Sequence, residues 1–112
     1  MSSVTCVISI GRNMGRRPMN ADLWFDFKSE VTRAAQQYGT LLMRPTVSYG
    51  SPSSQRGVWD NEMEECAVWM LRSHNEMVES QLGIQLSALA ADYRQACIGF
   101  ICHRGTTLVP RS

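Results

Sequence analysis

Lysine is almost missing from this 112-residue chain: Lys28 is the only one, against ten arginines. Near-absence of lysine removes the strongly hydrated ammonium groups that usually spread positive charge over a surface. It leaves guanidinium groups, which bind carboxylates and phosphates in a two-pronged fashion. A GC-rich coding sequence produces the same bias without any functional demand. Net charge is +1, so no global field draws the protein to nucleic acid or to acidic membranes, and any basic site must be local.

Other absences narrow the class further. No run of about 18 apolar residues occurs, which argues against a transmembrane helix. The start, MSSVTCV, lacks a basic region followed by an apolar stretch. The expected location is therefore cytoplasmic, or the host cytoplasm for a phage-encoded protein, with the four cysteines reduced. Cys6, Cys66, Cys97 and Cys102 form no CxxC knuckle, so small buried apolar residues are expected, with no metal and no cofactor. Only two histidines are present, His74 and His103, and no Cys–His pair stands out, since Cys102 and His103 are adjacent in a strand and face apart.

An apolar fraction of 44% and a charged fraction of 19% are those of a folded globular chain. At this length one domain is expected, over residues 1–104. The ending LVPRS resembles a thrombin recognition sequence, so residues 105–112 are expected to be a flexible tail that includes an expression-tag remnant.

Val4 to Ile10 places Val4, Cys6, Ile8 and Ile10 on one face of a first strand. Gly11 to Pro18 is a glycine- and arginine-rich loop. Asn20 then offers a helix cap, and Met19 before it can pack on Trp24 as a hydrophobic staple. Trp24, Phe27, Val31, Ala34, Ala35 and Tyr38 recur at helical spacing, and Gly39 marks the stop. Leu41 to Tyr49 reads as a second strand. Pro45 inside it cannot donate to a ladder, which predicts an edge strand or a bulge.

A third strand lies within Gly57 to Ser73, and its centre, Cys66 to Leu71, is apolar on both faces. That pattern predicts that Trp69 and Leu71 need cover from a second subunit, a partner or the tail. Residues 74–81 read as a linker or a frayed first helical turn, Leu82 to Tyr93 as the apolar face of a second helix, and Ala96 to His103 as the last strand. The order β-α-β-β-α-β predicts an α+β, ferredoxin-like fold: a four-stranded antiparallel sheet with both helices on one face and strands one and three central.

Three groups of residues could carry chemistry. Arg12, Asn13, Arg16 and Arg17 lie in a loop before a helix, where guanidinium groups and backbone amides can converge on an anion. The loop lacks the lysine and the Ser or Thr of a phosphate-binding P-loop. Trp59, at the entry to strand three, either caps the core or lines a pocket. Gln95 is polar at an otherwise apolar junction and within reach of the loop after strand one. The acids Asp60, Glu62, Glu64 and Glu65 read as a charged strand end that resists edge-to-edge pairing, or as a partner for the arginine loop. Strand three does not match an RNA-recognition pattern, so nucleic acid is not indicated.

Taken together, IGRN (Ile10 to Asn13), PMNADLWFDF (Pro18 to Phe27), GVWDNEMEECAV (Gly57 to Val68) and LAADYRQACIGF (Leu89 to Phe100) resemble a group of small uncharacterised single-domain proteins of bacteria and their phages, chiefly phages of high-GC hosts. The resemblance implies a compact α+β protein and carries over no catalytic residue. By analogy of origin it implies a phage accessory protein that acts on a host factor.

The leading expectation is a non-enzymatic binding protein that inhibits a host factor or defence system and works as a homodimer through the open sheet face, at Trp69 and Leu71. The alternative is a module that binds a nucleotide or another anion at Arg12, Asn13, Arg16, Arg17, Trp59 and Gln95. A weaker third reading, an enzyme of the dimeric α+β barrel type, would need a histidine or carboxylate facing a cavity.

Overall fold

The computed structural model describes residues 3–43, 46–49, 65–95 and 98–104. Strand β1 (Val4–Gly11) is followed by two short strands, β2 (Asn13–Met14) and β3 (Arg17–Pro18), and by helix α1 (Ala21–Tyr38). Strands β4 (Thr40–Leu41), β5 (Thr46–Tyr49) and β6 (Glu65–Ser73), helix α2 (Val78–Asp92) and strand β7 (Gly99–Arg104) complete the order.

The main sheet is antiparallel throughout. β1 lies between β6 and β7, pairing Val4 with Ser73 on one side and Cys6 with Cys102 on the other. β4 and β5 both pair with the remaining side of β6, so they are two halves of one interrupted edge strand. The result is a four-stranded sheet with two helices, the expected ferredoxin-like arrangement with β1 and β6 central. No described helix is long and apolar enough to cross a membrane.

The edge position agrees with the expectation from Pro45, which itself lies outside the described residues. Leu41 stands opposite Leu71, whereas Thr46 stands opposite Val68. Five steps along the edge therefore match three along β6. The Leu42 amide still donates to the Met70 carbonyl at 2.8 Å, which puts the break just after it.

Alternation decides the core. Val4, Cys6, Ile8 and Ile10 of β1 and Ala67, Trp69, Leu71 and Ser73 of β6 point to the helix layer and are buried. They pack on Trp24, Phe27, Val31, Ala34 and Ala35 of α1 and on Val78, Leu82 and Leu86 of α2. This corrects the expectation for Trp69 and Leu71. Both are 0% exposed, so they cannot form a dimer or partner surface. Their cover is the chain's own helices, and the Trp69 indole N–H donates to Thr32 Oγ1 on α1 at 2.9 Å. The opposite face of β6 also carries apolar side chains, Val68 and Met70, which made both faces look alike in sequence.

Helix α1 begins as expected: Asn20 Oδ1 accepts the Leu23 amide at 2.8 Å, and Met19 and Trp24 are both core residues. Gly39 ends it for a steric reason. Its backbone is extended, which any residue can adopt, but a Cβ there would run into the Arg72 carbonyl of β6. Helix α2 starts four residues earlier than the leucine periodicity suggests, because Val78 is buried and counts as its first core residue. The turn before it is built by side chains: Ser73 Oγ accepts the Asn75 amide, and Asn75 Oδ1 accepts the Met77 amide.

Candidate functional site: the corner at the end of strand one

The end of β1, the start of β6, the first turns of α1 and the segment after α2 converge on one corner. The residues between β1 and α1 are not a plain loop. Asn13 pairs with Pro18 and Met14 with Arg17, around a turn at Gly15 and Arg16. Of these two turn residues Gly15 has a positive φ, at 67°, as in the hairpin turn that favours glycine at its first central position. Arg16 and Arg17 are exposed on this hairpin.

Arg12 is committed internally. Its backbone amide donates to the Glu65 carbonyl at 2.9 Å, extending the β1–β6 ladder by one step. Its Nε donates to the Met19 carbonyl at 2.8 Å, and one terminal nitrogen meets Glu65 Oε1 at 2.8 Å. The other Glu65 oxygen accepts the Trp24 indole N–H at 3.1 Å. Burial pushes the Glu65 carboxyl up, but the hydrogen bonds from Arg12 and Trp24 and the charges of Arg12 and Lys28 outweigh it, holding the group below its ordinary range. The lone lysine sits with Nζ 5.2 Å from the centre of the Trp24 ring, a cation–π contact on the same cluster.

Gln95 reaches the corner from the other side. Helix α2 ends in a Schellman motif: the Gln95 amide donates to Ala90 at 2.7 Å and the Arg94 amide to Ala91 at 3.2 Å. Arg94 occupies the left-handed position with φ 55°, usually taken by glycine. This turn aims the Gln95 side chain at the hairpin, where Nε2 donates to the Asn13 carbonyl at 2.8 Å. With Nε2 held there and near the Tyr93 carbonyl, the amide orientation is fixed and Oε1 is the atom left to accept. Tyr93 itself stacks on Phe27 at 4.4 Å between ring centres, and Phe27 meets Trp24 edge-on at 6.2 Å. The aromatic file Trp24–Phe27–Tyr93 thus couples the two halves of the corner.

Of the residues singled out in sequence, Arg12, Asn13, Arg16, Arg17 and Gln95 do meet here. Arg12 braces the corner and Arg16 and Arg17 project from it. Trp59, Asp60, Glu62 and Glu64 lie outside the described residues. Sequence reasoning left Trp24 as core; it offered the strand-end acids as a partner for the arginine loop, and Glu65 takes that role with Arg12. Only the pairing of β1 with β6 gives Glu65 its two named partners. Among the described residues no group of three or more His, Cys, Asp or Glu side chains is arranged to hold a metal ion.

No family model and no curated protein matches the chain. Among solved structures it is similar to a phage SAM lyase in complex with S-methyl-5'-thioadenosine. That likeness has a TM-score of 0.55 at 11% identity and covers 90% of this chain and 80% of the other. The class defined by fold and comparison is a small α+β protein of the ferredoxin-like type, an architecture it shares with that phage enzyme.

Proposed function

We propose that this chain recognises a sulfur-bearing adenine nucleoside, either S-adenosylmethionine or its thioether product, and acts in a phage-type accessory role. The observation that carries the reading is the shared fold along 90% of the chain with a phage protein solved with such a nucleoside. The corner has chemistry that suits the ligand class. The amino-acid carboxylate of the ligand suits the exposed guanidinium groups of Arg16 and Arg17. An adenine amino group needs an oriented acceptor, and Gln95 Oε1 is one.

In a lyase of this substrate class the ligand's own carboxylate oxygen bonds to the γ-carbon as the carbon–sulfur bond of the sulfonium breaks. The sulfur keeps the bonding pair and departs as a neutral thioether, and the amino-acid portion leaves as a lactone. Incubation of the purified protein with S-adenosylmethionine, followed by chromatography for S-methyl-5'-thioadenosine, distinguishes cleavage from binding alone. Calorimetric titration with both compounds reads the binding directly. Saturable heats with either compound are expected. Flat titrations with both, together with no thioether formed above the spontaneous background, overturn the proposal.

The open face of the sheet favours a second reading, a protein-binding surface for a second copy or a host protein. Met70, Val7 and Ile101 stand side by side across β6, β1 and β7 on the face away from the helices, and Ile101 is 58% exposed. This row replaces Trp69 and Leu71 as the residues that would bury against a partner. Sedimentation at micromolar concentration tests the homodimer: a monomer that Ile101→Asp leaves unchanged refutes it.

A further inference from the structure

Two cysteines at the opposite end of β1 from the corner sit unusually close. Cys6 and Cys102 are direct cross-strand partners of β1 and β7, with their sulfurs 2.9 Å apart, although the residues are 96 positions apart in sequence. Both are free thiols. Directly opposed residues in an antiparallel pair have Cα atoms about 4.5 or 5.5 Å apart, and both separations lie within the range that a disulfide spans. The side chains already point at each other, so closing the bond needs a sulfur displacement of under about 1 Å and no backbone rearrangement.

We propose that Cys6 and Cys102 are a redox modification site, closing to a reversible cross-strand disulfide on reaction with a small disulfide oxidant of the glutathione type. Cys102, half-buried on an edge strand, is the entry sulfur, and Cys6, fully buried, is the resolving one. The Cys102 thiolate attacks one sulfur of the oxidant and expels the other as a thiolate, leaving a mixed disulfide on Cys102. Cys6, deprotonated, then attacks Cys102 Sγ and expels the second small thiolate. Two protein thiols lose two electrons and two protons, and one disulfide oxidant becomes two thiols.

The direction of attack follows from the pair itself. Burial pushes both thiols above the ordinary cysteine range, and the charge of Glu79 adds to this at both. The hydrogen bond between the sulfurs works against the rise at Cys102 and adds to it at Cys6. The exchange is therefore slow, and a reducing cytosol leaves the pair open. Once closed, the bond ties edge strand β7 to the central strand. Cys6 lies five residues before Gly11, about 17 Å along the strand, so the bond does not touch the corner.

The test uses the full chain carrying Cys66→Ser and Cys97→Ser, incubated with oxidised glutathione at mildly alkaline pH. The expected product is lighter by two hydrogens, gives a peptide joining Cys6 to Cys102 that is split by reductant, and melts roughly 10 °C higher than the reduced chain. Adding Cys102→Ser removes the mass loss and the shift. A chain that keeps its mass, or that stops at a persistent glutathione adduct on Cys102, overturns the proposal. If the serine variants fail to fold, fragment-ion mapping of the oxidised natural sequence decides: a link from Cys6 to Cys97 or Cys66 also refutes it.

Discussion

Arg12 and Glu65 are joined twice, once through backbone and once through side chains. The amide of Arg12 meets the carbonyl of Glu65 at 2.9 Å, and its guanidinium meets the carboxylate at 2.8 Å. The backbone bond fixes where β1 leaves the sheet. The ion pair then holds the departing chain against the start of β6, with Trp24 as the third member. The corner that the proposed ligand would use is built on this pair.

Replacing Glu65 by Ala leaves the Arg12 guanidinium and the Trp24 indole without their shared acceptor. A loss of about 1–3 kcal/mol in unfolding free energy is expected. It is measured by urea denaturation, with indole fluorescence as the probe.

The same carboxylate sets a pH dependence. Its folded pKa is depressed, so its contribution is fully present above the unfolded value of about 4.3 and fades as pH falls through the lower folded value. Wild-type stability should therefore drop more steeply than that of Glu65→Gln below about pH 4.5. Parallel acid titrations of the two proteins would contradict this.

Arg94 holds a left-handed conformation that a side chain adopts at a cost of about 1–2 kcal/mol. Arg94→Gly relieves the strain but adds backbone freedom to the unfolded chain. The net expectation is a gain of about 0.5–1 kcal/mol, read as a higher denaturation midpoint. Gly39 is the opposite case. Gly39→Ala drives a Cβ into the Arg72 carbonyl of the neighbouring strand and should cost about 1–3 kcal/mol through backbone displacement.

Trp69 separates an interface role from a core role. Trp69→Ala should destabilise the fold by about 3–5 kcal/mol and leave the association state of whatever remains folded unaltered. If the open sheet face pairs with a second copy, Ile101→Asp should do the reverse, changing association with little effect on stability. Thermal denaturation and sedimentation on both variants provide the readouts.

Double substitution of Arg16 and Arg17 by Ala should leave the melting temperature within about 2 °C, since both side chains are exposed. It should weaken any binding of S-adenosylmethionine at least tenfold, which calorimetry would report. Unchanged affinity would remove the hairpin from the proposed site while leaving the ligand class open.

The sequence alone determined the strand–helix–strand order, the edge position of the second strand, the Asn20 cap and the helix face from Trp24 to Tyr38. These are local properties. Proline lacks a donor, an Asn side chain reaches an amide three residues on, and periodicity follows from the backbone. Gln95 was also legible as a polar residue at an apolar junction. Tertiary structure decided which face of β6 is covered, because Cys66 to Leu71 is apolar on both sides and periodicity cannot choose between them. It decided that Arg12 braces the corner, since its partner Glu65 is 53 residues away. It also decided that Cys6 meets Cys102, a contact set by the register of two strands from opposite ends of the chain.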